Sequence, residues 1–80
     1  MTMEIPLAML PENSEAIIVR VVGGMGVTRR LAEIGFTRGA RVRVLHSGSP
    51  GPILVLIRGS RVALGRGFAM KIMVRPMEVT

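Results

Sequence analysis

Cysteine is absent from these 80 residues, and so are tryptophan, tyrosine and aspartate. Without cysteine there is no disulfide framework and no thiolate metal site. One histidine, His46, and no aspartate exclude a Ser-His-Asp triad, a histidine zinc site and paired-aspartate chemistry in one step. Catalysis by this chain is therefore not expected, and neither is a bound metal or cofactor. Long apolar runs are missing too: the longest, Ile53 to Ile57, is far short of the ~18–20 residues that cross a bilayer. The opening Met1-Thr2-Met3-Glu4 has no basic stretch and no signal-type apolar core behind it, so the expected location is cytoplasmic.

What is present is apolar and basic. Apolar residues make up 49% of the chain and its mean hydropathy is +0.48, too hydrophobic for intrinsic disorder. A chain of this length buries roughly 60–65% of its unfolded surface, enough for one modest core. The net charge of +6 is unevenly placed. Residues 1–19 carry Glu4, Glu12 and Glu15 and no cation, whereas residues 20–75 carry all eleven Lys and Arg against Glu33 alone. Such a surface suits nucleic acid, an anionic membrane or an acidic protein partner.

Pattern along the chain predicts mainly β structure. Pro6 and Pro11 bound an apolar lead-in that cannot be a regular central strand, so Leu7 and Leu10 are expected to pack against the body. Glu15–Val22 reads as a strand with Ile17, Val19 and Val21 inward, because Arg20 on the opposite face is costly to bury. Gly23 to Gly26 form a loop that leaves Met25 exposed. Val27–Ile34 has helical period, with Val27, Leu31 and Ile34 inward, Arg29 and Glu33 outward, and Gly35 at the C-terminal stop. Arg29 and Glu33 are spaced for a surface pair worth a few tenths of a kcal/mol. After a turn at Thr37-Arg38-Gly39, Ala40–His46 alternates, with Val42, Val44 and His46 on one face and Arg41 and Arg43 on the other. Ile53–Arg58 is apolar on both faces and reads as a central or covered strand. Gly59-Ser60 turns into a strand over 61–64, residues 65–70 allow one helical turn, and Lys71–Arg75 is the last strand. Phe36 and Phe68 both read as core.

Five short strands would expose apolar edges as an open sheet, and closure removes them. The expectation is a small five-stranded SH3-like barrel with one short α-helix and one helical turn. It spans residues 1–80 as a single domain with an ordered core from about 5 to 76, and an OB-type barrel is the rival.

The run Val27-Thr28-Arg29-Arg30-Leu31-Ala32-Glu33-Ile34-Gly35-Phe36-Thr37-Arg38-Gly39 resembles the central signature of FeoA proteins. Gly51-Pro52, Arg58-Gly59-Ser60-Arg61-Val62-Ala63-Leu64-Gly65, Phe68-Ala69, Ile72 and Val74 fit in order, and Leu7 and Leu10 resemble the family's opening. The chain departs from the family pattern at Asn13-Ser14, Arg38 and Gly67, all at turns or helix ends. The resemblance implies an SH3-like barrel that is a non-enzymatic, cytosolic accessory of ferrous iron uptake. Its implied partner is the cytosolic GTP-binding domain of a FeoB-type transporter, which it would bind and modulate, meeting the membrane only through that transporter.

The candidate partner-binding residues are Met25, Arg29 and Arg30 at the start of the helix, and Arg38, Arg41 and Arg43 on the basic strand face. Arg58, Arg61 and Arg66 bracket the next hairpin and extend the basic patch. The alternative function is non-specific nucleic-acid binding by a basic barrel, steeply salt-dependent and without aromatic stacking; no specific nucleic acid is expected. Methionines and strand edges permit self-association.

Overall fold

The computed structural model describes residues 3–48 and 50–77. Six strands form one antiparallel sheet: β1 (Ile5–Pro6), β2 (Glu15–Val21), β3 (Arg41–His46), β4 (Ile53–Ile57), β5 (Ser60–Leu64) and β6 (Ile72–Pro76). A 3-10 turn, Leu7–Met9, follows β1; helix α1 (Met25–Ile34) joins β2 to β3; helix α2 (Arg66–Ala69) joins β5 to β6. The spatial order is β1-β6-β2-β3-β4-β5.

This overturns the expected barrel. The sheet has six strands, not five, and it is open: β1 pairs only with β6, and β5 only with β4. The sixth strand lies in the lead-in. Its two residues are too few to bridge to β5, and Pro6, which lacks an N–H, passes straight into the 3-10 turn. Closure is replaced by covering. Leu7 and Leu10 from the lead-in, Leu31 from α1, Phe36 after it and Ala69 from α2 are all buried over the inner face of the sheet. No polar side chain is buried among the described residues, so the core rests on apolar burial alone, about 1.5–3 kcal/mol per large side chain.

Two bulges decide which side chains enter that core. On β2, Ile18 opposes Val74 and Arg20 opposes Met73, which leaves Val19 as an extra residue. The bulge resets the alternation, so Ala16 and Ile18 point inward before it and Val21 packs on the core after it. The expected inward face of Ile17, Val19 and Val21 is therefore correct only at Val21. A second bulge on β3 pairs Val44 with Val55 and His46 with Leu54. Val42 and Val44 are buried as expected, but His46 is turned to the surface.

Helix α1 begins two residues earlier than the periodicity implied, with Gly24 as N-cap and Met25 as its first residue. Leu31 is buried and Val27 packs on the core, while Ile34 is 41% exposed rather than inward. Gly35 ends the helix at φ 126, and its N–H reaches the carbonyls of Leu31 and Ala32. The β4–β5 turn is Arg58-Gly59, one residue earlier than predicted: Ile57 pairs with Ser60, and both turn residues have positive φ, 48 and 80. That is the type I′ geometry which matches strand twist, with an arginine where Asn or Gly is usual. Strand β4 lies between β3 and β5, as its two apolar faces required.

Candidate interaction surface

Strand register builds the basic face. Glu15 of β2 opposes Arg43 of β3, Arg43 opposes Leu56 of β4, and Leu56 opposes Arg61 of β5, so these four form one row across the outer face. Ile17 opposes both Arg41 and Arg75, which makes a second row two residues along. The outward row arises because Val42 must point into the core, which drives Arg41 and Arg43 to solvent. Between the rows and the Arg58-Gly59 turn lies a concavity of about 330 Å3 lined by Glu15, Ala40, Arg41, Arg43, Leu56, Arg58 and Gly59. Arg41 Nε stands 3.7 Å from a Glu15 carboxylate oxygen, a loose and exposed pair of little energetic weight.

The six candidate residues fall in different places. Arg41 and Arg43 share the concavity. Met25 and Arg29 line a shallow hollow of about 280 Å3 with Gly23, Thr28 and Ala32, and Met25 is 80% exposed. Arg30 is on another side of α1, at a groove of about 190 Å3 formed with Leu31, Ile34, Val62, Ala63, Leu64, Gly65 and Phe68. Arg38 is exposed in the turn before β3 and lines none of these hollows. No ion pair joins Arg29 to Glu33 among the described residues.

Of the three arginines around the β4–β5 hairpin, Arg58 and Arg61 belong to the basic face and Arg66 does not. Arg66 Nη2 donates to the carbonyls of Ser47 (2.7 Å) and Gly48 (3.2 Å), tying α2 to the β3–β4 loop. Arg58 was no more than a flanking charge in the sequence, yet it is the most constrained cation of the face. Its Nη2 donates to Thr37 Oγ1 at 2.9 Å and its Nε to the Gly35 carbonyl at 3.4 Å. The only signal for this in the sequence was an arginine directly before the glycine of a tight turn. Phe68 is likewise corrected: it is 40% exposed at the groove, whereas Phe36 is core as expected.

His46 Nδ1 lies 3.2 Å from Glu12 Oε1, which also accepts the Ser47 N–H at 2.9 Å. This pair fastens the loop before β2 to the end of β3. Among the described residues no three His, Cys, Asp or Glu side chains gather as a metal site would need.

An open, helix-covered antiparallel sheet with one cationic outer face defines a small mainly-β protein whose chemistry is on its surface. A family model described as the FeoA domain matches residues 5–76. A protein of Methanocaldococcus jannaschii provisionally named Fe(2+) transport protein A is 38% identical over 73 residues, which span 91% of this chain and 88% of that protein. Among solved structures, an iron uptake regulatory protein, FeoA, superimposes with a TM-score of 0.89 at 36% identity, covering 94% of this chain and 100% of that one. FeoA from Chlorobium tepidum superimposes at 0.82 with 30% identity, covering 92% of this chain and 71% of that one. This chain belongs to the FeoA family.

Proposed function

We propose that this protein is a non-enzymatic accessory of ferrous iron transport that docks on the cytosolic GTP-binding domain of a FeoB-type transporter. The observation that carries the reading is the family match across residues 5–76, together with a relative named for Fe(2+) transport that aligns over most of both chains. The contact surface is the start of α1, with Met25, Arg29 and Arg30, together with Arg38, Arg41 and Arg43. Physical support comes from the state of these side chains. Met25 is a flexible apolar group in solvent, suited to adapting to a partner surface. Arg29, Arg30, Arg38 and Arg43 make no ion pair or side-chain hydrogen bond within the described chain, so their donors are available to an acidic partner.

The test is a binding isotherm against the isolated GTP-binding domain, with random-sequence DNA as a parallel titrant, at low and moderate salt. Saturable binding to the protein domain that survives moderate salt, while DNA binding is lost, is the expected result. Binding to DNA alone would replace this reading with the nucleic-acid one.

A further inference from the structure

We propose that the concavity on the outer sheet face is a binding site for a diphosphate or longer polyphosphate group, recognised through its phosphates alone. The inference stands on this chain's own residues and holds whether or not the transporter reading does.

It starts from a strained residue. Arg58 has φ 48, the left-handed region that side chains other than glycine and asparagine enter at a cost of roughly 1–2 kcal/mol. Asparagine or glycine would make the same turn without that cost. The arginine is instead held on both sides. Its chain runs so close over Gly35 that a Cβ there would lie 3.0 Å from Arg58 Cδ. Its Nε and Nη2 are anchored on the Gly35 carbonyl and Thr37 Oγ1. Arg58 lines the concavity, and these anchors leave its Nη1 with no hydrogen-bond partner among the described residues, a cation held in place before any ligand arrives.

Opposite it stand Arg41 and Arg43, on the same face of β3 and about 7 Å apart along the strand. Together with Arg58 they offer three guanidinium groups, a donor set that two or more linked phosphates fill more completely than one. Arg43 has no ion pair or hydrogen-bonded side-chain partner among the described residues. Three guanidinium groups against the Glu15 carboxylate leave a net charge of about +2 around an apolar floor of Leu56 and Ala40. An extended acidic peptide fits less well: β2, β3 and β4 are each paired on both sides and offer no free backbone edge to add to. No aromatic side chain lines the concavity, so a nucleoside base would find nothing to stack on.

The test titrates inorganic pyrophosphate into the full chain at constant ionic strength, read by calorimetry and backbone amide shifts. Orthophosphate and a nucleoside diphosphate serve as comparison arms. Expected are saturable one-to-one binding, shifts centred on 41–43 and 56–59, weaker binding of orthophosphate, and a nucleoside diphosphate no tighter than pyrophosphate. Arg43→Gln and Arg58→Asn should each weaken binding about tenfold or more, the loss of one charge-assisted contact. Asparagine tolerates positive φ, so Arg58→Asn keeps the turn, and its melting temperature checks this. Lys71→Gln removes the same charge outside the concavity and should change affinity less than about twofold. Unsaturable binding, or equal losses in all three variants, would overturn the site. A nucleoside diphosphate binding much more tightly than pyrophosphate would overturn recognition by phosphate alone.

Discussion

At the scale of single residues, two glycines make opposite predictions. Gly35 combines φ 126 with an Arg58 side chain 3.0 Å from where a Cβ would sit. Gly35→Ala should therefore cost about 1–3 kcal/mol, read as a fall in denaturant midpoint at unchanged slope. Gly26 lies in the first turn of α1 with nothing within 4 Å of where a Cβ would sit, so Gly26→Ala should stabilise by up to about 1 kcal/mol. The stop at Gly35 was legible because a glycine followed an apolar helical stripe. Its contact with Arg58 was not, since 23 residues separate the two. The phenylalanines divide in the same way. Phe36→Ala should cost about 3–5 kcal/mol, and Phe68→Ala well under half of that, because Phe68 already meets water at the groove. Their local sequence contexts are alike; what differs is whether the sheet passes over them.

At the scale of elements, β2 shows how much one extra residue redirects. Alternation placed Arg20 outside, which is right, and then extended that parity backwards along the strand, which is wrong. The bulge at Val19 breaks the parity, so Ile18 is core and Ile17 lies on the outer face between Arg41 and Arg75. Ile18→Ala should cost about 2–5 kcal/mol and Ile17→Ala no more than about 1 kcal/mol, compared by urea unfolding of the two variants. Equal costs would mean that the bulge does not set the face. Five of the six strands, both α-helical segments and the turn at Gly39 were legible from period and glycine placement; β1, two residues at a proline, was not. The bulges were not, because a bulge satisfies pairing with a neighbour that is distant in sequence.

At the scale of the whole molecule, charge and shape act together. Charge reversal at Arg41 and Arg43 should weaken binding to the transporter's GTP-binding domain while moving the melting temperature little, since neither side chain enters the core. Full affinity in a folded double variant would remove this face from the proposed interface. The sequence alone determined that the chain has an apolar core for one small body, a strongly basic surface, and none of the cysteine or aspartate chemistry of common active sites. It also carried the family, through motifs strung in order along nearly the whole chain. Only the tertiary structure decided that the sheet stays open, because closure depends on whether two strands at opposite ends of the sheet can reach each other. Pairing likewise decided which arginines share a hollow: Arg41, Arg43 and Arg58 meet through strand register and one left-handed turn, while Arg29 and Arg30, adjacent in sequence, face different hollows because successive helical residues point about 100° apart.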